Sequence, residues 1–354
     1  MINLSRVSNF ARFKGSLLVK DVFFEHKIFN AKMLTTSNSD DFLSFSRKLF
    51  PALSNLLRKG DCGRIGVIGG SEDYTGAPYF ASMTTIRMGA DLCYVFAHPH
   101  AAPVLKTYSP ELMVHPNQDF SEIKERLSRL HVIVFGPGIG RRADAIVPLF
   151  RSVLELLRKN PHLGMVVDAD GLYFVSTSEE CRNELRSGLS NQVILTPNLR
   201  EFEHIYAQTP MAGETKTNGQ VRNDVGERVR RLAEYLRVCV LLKSDVDIIS
   251  DGQAVRYGPV PGSLRRCGGQ GDILSGATAL FAHWSRLAGL DPSEALNVDL
   301  CASNLMDGAR AASDFVRSTA ARTFARYGRS MTATDIVAEI PEVVRVEIDG
   351  KRTR

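Results

Sequence analysis

The chain has 354 residues and a mass of 39.1 kDa, with 44% hydrophobic and 23% charged residues, 28 Gly and 15 Pro. These values lie near globular averages and exclude extended disorder, a collagen-like repeat and a disulfide-stapled miniprotein, and no apolar run approaches the roughly 18 residues that span a bilayer. The formal charge is +5, but residues 1–60 hold ten Lys/Arg against four Asp/Glu, which leaves 34 basic against 35 acidic residues in the other 294; a nucleic-acid footprint needs a basic stripe on the folded body, so neither a nucleic-acid nor a membrane partner is expected.

Residues 1–40 read as a leader. Arg6, Arg12, Lys14 and Lys20 precede the first acid, Asp21, which is the composition of an organelle transit peptide. A disordered leader is the alternative, and Met33 offers an internal start. The expected localisation is therefore cytoplasmic, mitochondrial or both. A domain is expected over 41–345, opening with a helix over Phe42–Lys59, and a basic tail over 346–354.

From Arg64 onward, short apolar runs ending in Gly, Pro, Asn or Asp alternate with helical stretches. The runs Ile65–Ile68, Leu92–Ala97, Val132–Phe135, Met165–Val167, Val193–Leu195 and Val238–Leu242 are too short for helices. They are apolar on both faces, as strands buried in a parallel sheet are. Ala77–Met88, Ala145–Arg158 and Val225–Leu236 have helical periodicity. This alternation implies right-handed βαβ units. The expected fold class is α/β: a doubly wound, mostly parallel sheet flanked by helices, in a single domain. The pattern runs to Val255, after which helices dominate to about Glu339, and residues 209–224 read as a surface loop. The six cysteines are 28 to 88 residues apart with no C-x-x-C pair, and the histidines form no H-E-x-x-H. Neither a disulfide framework nor a structural metal is expected.

Open parallel sheets bind ligands where strand carboxyl ends meet helix N-termini. Four turns there are unusual. Gly66, Gly69 and Gly70 are followed by Tyr74-Thr75-Gly76-Ala77-Pro78; the spacing is not G-x-G-x-x-G, and the turn is either structural or a ligand contact. Gly136-Pro137-Gly138-Ile139-Gly140 follows a strand, which favours close backbone approach to a ligand. Asp168 and Asp170 come next, each explicable as a helix cap. Asn198 and Glu201, three apart, either orient a hydrated Mg²⁺ or form a capping box.

The fourth turn is the sharpest. Cys267-Gly268-Gly269-Gln270-Gly271-Asp272 opens a strongly helical apolar segment, so bare amides and a positive helix end converge as a phosphate cradle. A carboxylate repels bound phosphate, so Asp272 makes sense there as a base for an attacking nucleophile or as a metal ligand. The bland reading is an N-terminal cap. No G-x-x-x-x-G-K-[ST] occurs, which excludes a P-loop NTPase.

An N-x-x-E on an inner loop with a G-x-G-D opening a late helix resembles the ribokinase-like superfamily. Within it the chain resembles the ATP-dependent (S)-NAD(P)H-hydrate dehydratases, and more closely their eukaryotic branch. The resemblance rests on K-G-D-C-G-R-I-G-V-I-G-G at 59–70, Y-T-G-A-P at 74–78, Y-S-P-E-L at 108–112 and G-P-G-I-G at 136–140. It continues through D-A-D-G-L at 168–172, T-P-N-L-R-E-F at 196–202 and R-R-C-G-G-Q-G-D-I-L-S-G at 265–276. It implies that Gly138 with Asn198, Leu199, Arg200, Glu201, Phe202, Glu203 and His204 lines the site for the hydrated dinucleotide. It implies ATP binding by Lys243, Ser244, Asp245, Val246 and Asp247, and by Gly262, Ser263, Leu264, Arg265, Arg266, Cys267, Gly268, Gly269, Gln270 and Gly271. Asp272 would be catalytic, with Asn198 and Glu201 organising Mg²⁺.

Two positions depart from the family's pattern: Ser244 stands where Gly is usual, and Gln270 where bacterial members have Thr. The resemblance further implies NADHX and NADPHX as substrates, functional partnership with NAD(P)H-hydrate epimerase, and a homo-oligomer as one option. Rival readings are a vitamin-precursor kinase on the same fold and a nucleotide-sensing protein with a dead site.

Overall fold

In the computed structural model, which describes residues 41–189, 191–212, 224–288 and 302–352, the short apolar runs are strands of one sheet. In chain order the strands are β1 (Arg64–Ile68), β2 (Leu92–Phe96), β3 (Met113–His115), β4 (Val132–Phe135), β5 (Gly164–Val167), β6 (Val193–Leu195), β7 (Cys239–Leu242), β8 (Ile248–Ser250) and β9 (Val255–Tyr257). Their order is β3-β2-β1-β4-β5-β6-β7-β8-β9. The first seven pair in parallel, and β8 and β9 add an antiparallel edge. The expected mostly parallel, doubly wound sheet is present.

The helices are α1 (Ser44–Leu49), α2 (Gly76–Met88), α3 (Ala102–Tyr108), α4 (Phe120–Leu127), α5 (Ala143–Lys159), α6 (Asp170–Thr177), α7 (Glu179–Arg186), α8 (Leu199–Tyr206), α9 (Val225–Leu236), α10 (Gln270–Leu287), α11 (Ala302–Tyr327) and α12 (Ala333–Val343). They cover both faces of the sheet. Successive strand residues point to opposite faces, so each strand between the two edge strands feeds two cores. Val132, Val134, Val166, Ile194 and Leu241 join the core shared with α2, α10, α11 and α12. Ile133, Phe135, Val167, Leu195 and Val240 join the core under α4 to α9. That double burial is why the strands carry no polar face.

Three strands lie outside the expected set. β3, β8 and β9 are three residues each, and β9 has no fully buried residue, so no apolar run announces them. The helix expected over Phe42–Lys59 stops at Leu49. Phe50 is extended (φ −63°, ψ 129°) because the ring of Pro51 disfavours helical backbone before it. Phe50 instead enters the core, its ring 4.6 Å from that of Trp284, whose Nε1 donates to the Cys62 carbonyl at 2.8 Å. Beyond α12 the backbone stays helical to Arg352 with Ile348 buried, so most of the segment read as a tail is structured. The leader over 1–40, residues 213–223 of the expected loop and the chain's last two residues lie outside the described residues. No helix of the described residues is long and apolar enough to cross a membrane.

The strand order reverses between β1 and β4, and crevices form at such points. There the Gly70 amide donates to the Pro137 carbonyl at 3.0 Å, locking the two glycine turns together. Helix α10 lies closely on α2: a Cβ at Gly276 would sit 2.1 Å from the Ala81 carbonyl oxygen. Backbone cannot yield there as a side chain can. Gly276→Ala is expected to lower unfolding free energy by about 3 kcal/mol. Chemical denaturation measures this; a loss under about 0.5 kcal/mol, the ordinary surface range, would contradict the close approach.

Candidate functional site

Three neighbouring strand ends deliver the centre of the site. Asp168 follows β5, Thr196 follows β6 and Lys243 follows β7. Lys243 Nζ donates to Asp168 Oδ1 at 2.7 Å, and Thr196 Oγ1 donates to the same oxygen at 2.9 Å. The Asp168 side chain is 2% exposed and that of Lys243 20%, so removing the lysine would leave a costly unpaired carboxylate. Asp168 is therefore not a helix cap. The next residue, Ala169, takes φ 50° and ψ −120°, a sparsely populated conformation that costs a non-glycine residue roughly 1–3 kcal/mol. Asp170 braces the G-P-G-I-G turn, accepting from the Gly140 amide at 3.1 Å and from Arg141 Nε at 3.0 Å.

The late glycine turn closes over this pair. Gly269 has φ 93°, and a Cβ there would lie 2.7 Å from Ala333 Cβ and 2.9 Å from Phe80, so only glycine fits. It occupies the N-cap of α10 with no side-chain cap. First-turn amides of that helix are thus left for an external acceptor. Gly271 follows, its Cβ position 3.4 Å from Lys243 Nζ and 3.9 Å from Asp168 Oδ2. Asp272 is the third residue of the helix, not its cap.

Electrostatics bind these groups into one centre. Burial, and then the Asp168 charge, push the Asp272 carboxyl from its ordinary 3.8 up to about 7, against opposition from Lys243 and its own amide. Burial likewise raises Glu201, partly offset by Lys243. For Lys243, burial pulls the ammonium down, but Asp168, Glu201 and Asp272 outweigh it and hold it above the usual lysine value. One lysine is thus shared by three carboxylates, a local excess of negative charge.

The other expected residues divide. Asn198 and Glu201 form a reciprocal capping box on α8: the Glu201 amide donates to Asn198 Oδ1 at 3.0 Å, and the Asn198 amide to Glu201 Oε2 at 2.8 Å. The capping box is thus formed, with Asn198 Oδ1 accepting one amide and Glu201 Oε1 lying outside it. Leu199, Arg200 and His204 are exposed. The Phe202 side chain is buried at 0% exposure and packs with Ile205 and Tyr206 in the core. Glu203 faces α9, where Arg228 grips its carboxylate at 2.7 Å through both Nη atoms. Gly138 is buried against the Tyr74 turn, its Cβ position 2.8 Å from Tyr74 Cβ.

In the expected ATP segment, Asp247 braces the turn after β7. Its buried carboxylate accepts from the Ser244 amide at 2.9 Å, Ser313 Oγ at 2.7 Å and Arg317 Nε at 2.9 Å. Arg317 also donates to the Asp245 carbonyl at 2.9 Å and to the Ser244 carbonyl, stitching this turn to α11. Nothing in the sequence marks Arg317, one of four arginines in a long helix. Asp245 pairs with Arg266, and Val246 is half-buried. Gly262 lies beside Arg317. Ser263 Oγ and Gln270 Nε2 donate to the Arg265 carbonyl at 2.7 and 3.2 Å. Leu264 is 89% exposed, Cys267 packs against the core, and a Cβ at Gly268 would meet nothing within 4 Å.

The mostly parallel sheet flanked by helices has the ribokinase-like α/β fold. The profile of the NAD(P)H-hydrate dehydratase family matches residues 65–342, and the chain belongs to that family. It is 40% identical to the ATP-dependent (S)-NAD(P)H-hydrate dehydratase of Nematostella vectensis over 87% of this chain and 82% of that one. To the Homo sapiens protein of the same name it is 37% identical, over 90% and 88%. The crystal structure of the Bacillus subtilis ADP/ATP-dependent NAD(P)H-hydrate dehydratase, co-crystallised with ATP/Mg²⁺, superposes with TM-score 0.61 at 18% identity, covering 85% of this chain and 96% of that one.

Because folded Asp272 holds its proton to about 7 and the unfolded chain releases it near 3.8, this group lowers stability as pH rises through that window. Asp272→Asn removes the ionisable group. The variant is expected to melt above the wild type at pH 8, with the gain vanishing near pH 4. A melting difference independent of pH would show that the carboxylate is not held in the field described.

Proposed function

We propose that this protein dehydrates the S-epimer of hydrated NADH and NADPH at the expense of ATP, releasing ADP and phosphate. The observation that carries the reading is Asp272, a carboxylate tuned to about 7 at an uncapped helix end beside Lys243. Relatives of this name cover most of the chain.

The chemistry follows from the leaving group. The hydrate carries a hydroxyl on C6 of the nicotinamide ring, and hydroxide leaves poorly. Asp272 takes the proton from that hydroxyl as its oxygen attacks the γ-phosphorus of ATP and ADP departs. The C6–O bond then breaks, phosphate leaves with the bond's electrons, and the N1 lone pair fills the gap. Loss of a proton from C5 restores the dihydronicotinamide. Amides at Gly268–Gly271 and the positive end of α10 stabilise the charge on the transferring group. Lys243 keeps the excess of carboxylates from repelling the nucleotide.

The donor set suits Mg²⁺. Glu201 Oε1 and Asp168 Oδ2 are hard oxygens beside an uncompensated negative charge, and such oxygens suit a Mg²⁺ that also takes nucleotide phosphates. When bound, the ion neutralises charge between the phosphates. The (S) specificity carried over from the relatives gives the protein a functional partner in NAD(P)H-hydrate epimerase, since the R-epimer must be converted first. The basic, acid-poor composition of the leader supports localisation to mitochondria, the cytoplasm, or both.

Incubating the protein with ATP, Mg²⁺ and acid-hydrated NADH is expected to restore the reduced-nicotinamide absorbance with release of inorganic phosphate. Accumulation of a stable phosphorylated substrate would identify a vitamin-precursor kinase instead. Asp272→Asn is expected to lower turnover roughly 10²- to 10⁴-fold while nucleotide binding persists. Near-normal turnover would remove Asp272 from the mechanism. In the wild type kcat/KM should fall as pH drops below about 7, because the base must be ionised. A flat profile from pH 5 to 8 would be incompatible with that role.

A further inference from the structure

A second cluster stands apart from Asp272, on the turns after β1 and β2. Glu72 Oε1 lies 2.6 Å from His100 Nδ1, and the rings of His98 and His100 are 5.2 Å apart and nearly perpendicular. One ligand atom from each of Glu72, His98 and His100 lies within 4.8 Å of the others, the one such convergence found among the described residues. We propose that these three residues bind a borderline divalent transition-metal ion of the Zn²⁺ type, at a site separate from the oxygen-donor centre around Lys243. The proposal is independent of the dehydratase reading.

Three physical features support it. The donor set is two imidazoles and one carboxylate, which suits Zn²⁺, Ni²⁺ or Cu²⁺ rather than Mg²⁺, and three protein ligands with an open position is a common zinc arrangement. The turns are preorganised. The His98 amide donates to the Gly70 carbonyl at 3.2 Å, and Ser71 and Tyr74 exchange backbone hydrogen bonds at 3.1 and 3.3 Å across Glu72. Gln118 Nε2 ties both turns by donating to the carbonyls of Gly70 and Phe96 at 3.3 and 3.2 Å. Stability, finally, does not account for the arrangement. The Glu72 and His100 side chains are 64% and 72% exposed, and exposed ion pairs contribute little. The bond holding His98 Nδ1, from the His100 amide, is 3.4 Å long and easily surrendered to a metal.

The site also touches the substrate side. Tyr74, on the same turn as Glu72, packs on Gly138, so an ion joining the two turns stiffens the wall of the reversal-point crevice.

The experiment is calorimetric titration of the full chain with ZnCl₂ in saturating Mg²⁺, on a Cys267→Ser background that removes the one partly exposed thiol among the described residues. One site is expected. His98→Ala and His100→Ala should each weaken it by more than about tenfold, since even indirect partners of a ligand cost that much. With Co²⁺ as probe, the visible absorbance of the wild type should vanish in His100→Ala. Equal zinc binding by the wild type and the double His98→Ala/His100→Ala variant, or full displacement of Zn²⁺ by Mg²⁺, overturns the proposal. All three side chains lie outside the hydrophobic cores, so thermal melts of the metal-free variants should match the wild type and separate lost binding from lost folding.

Discussion

The buried pairing of Asp168 with Lys243 is the constraint around which the site is organised. The two residues are 75 positions apart and arrive on strands separated by β6. Without Lys243 the Asp168 carboxylate would be a buried charge with no cation bonded to it, and Thr196 completes the acceptor's needs. Once the strands are in register the ion pair has one place to form, and the Gly271 turn rests on it. Asp272 inherits its raised pKa from that placement.

Much of the surrounding charge holds backbone in position rather than meeting a ligand directly. Asp247 and Arg317 fix the turn after β7, Asp170 fixes the turn after β4, and the capping box fixes the start of α8. A phosphate cradle made of amides has no side chains with which to adjust, so its backbone must be immobilised from behind. Strain at Ala169 and the proton held by Asp272 both cost stability at the place where the site is most exacting, as expected where activity and stability compete.

The strands with clear apolar runs were legible because burial on both faces leaves an unmistakable composition. β3, β8 and β9 were not: β3 and β9 are edge strands of three residues, and β8, though buried, offers only the pair Ile248-Ile249 as an apolar run. N-x-x-E was legible as a spacing but ambiguous as chemistry: residues three apart at a helix start serve a cap or a metal equally well, and only hydrogen-bond geometry distinguishes them. The burial of Phe202 did have a signal. Phe202, Ile205 and Tyr206 recur at helical spacing, which marks the core-facing stripe of α8, yet the motif reading drew attention to the polar residues between them. Arg317 had none, because its partners come from segments about 70 residues away.

By itself, the sequence determined the alternation of strands and helices, the late glycine turn with its aspartate, and the family. Those are local facts: periodicity, turn chemistry and helix polarity act over a few residues. Tertiary structure alone decided which charges meet. It joined Asp168 to Lys243, turned Asp247 inward, and brought Glu72 to two histidines that lie more than twenty positions further along the chain. Electrostatic interaction depends on distance through space and on burial, and neither quantity is written in the order of residues.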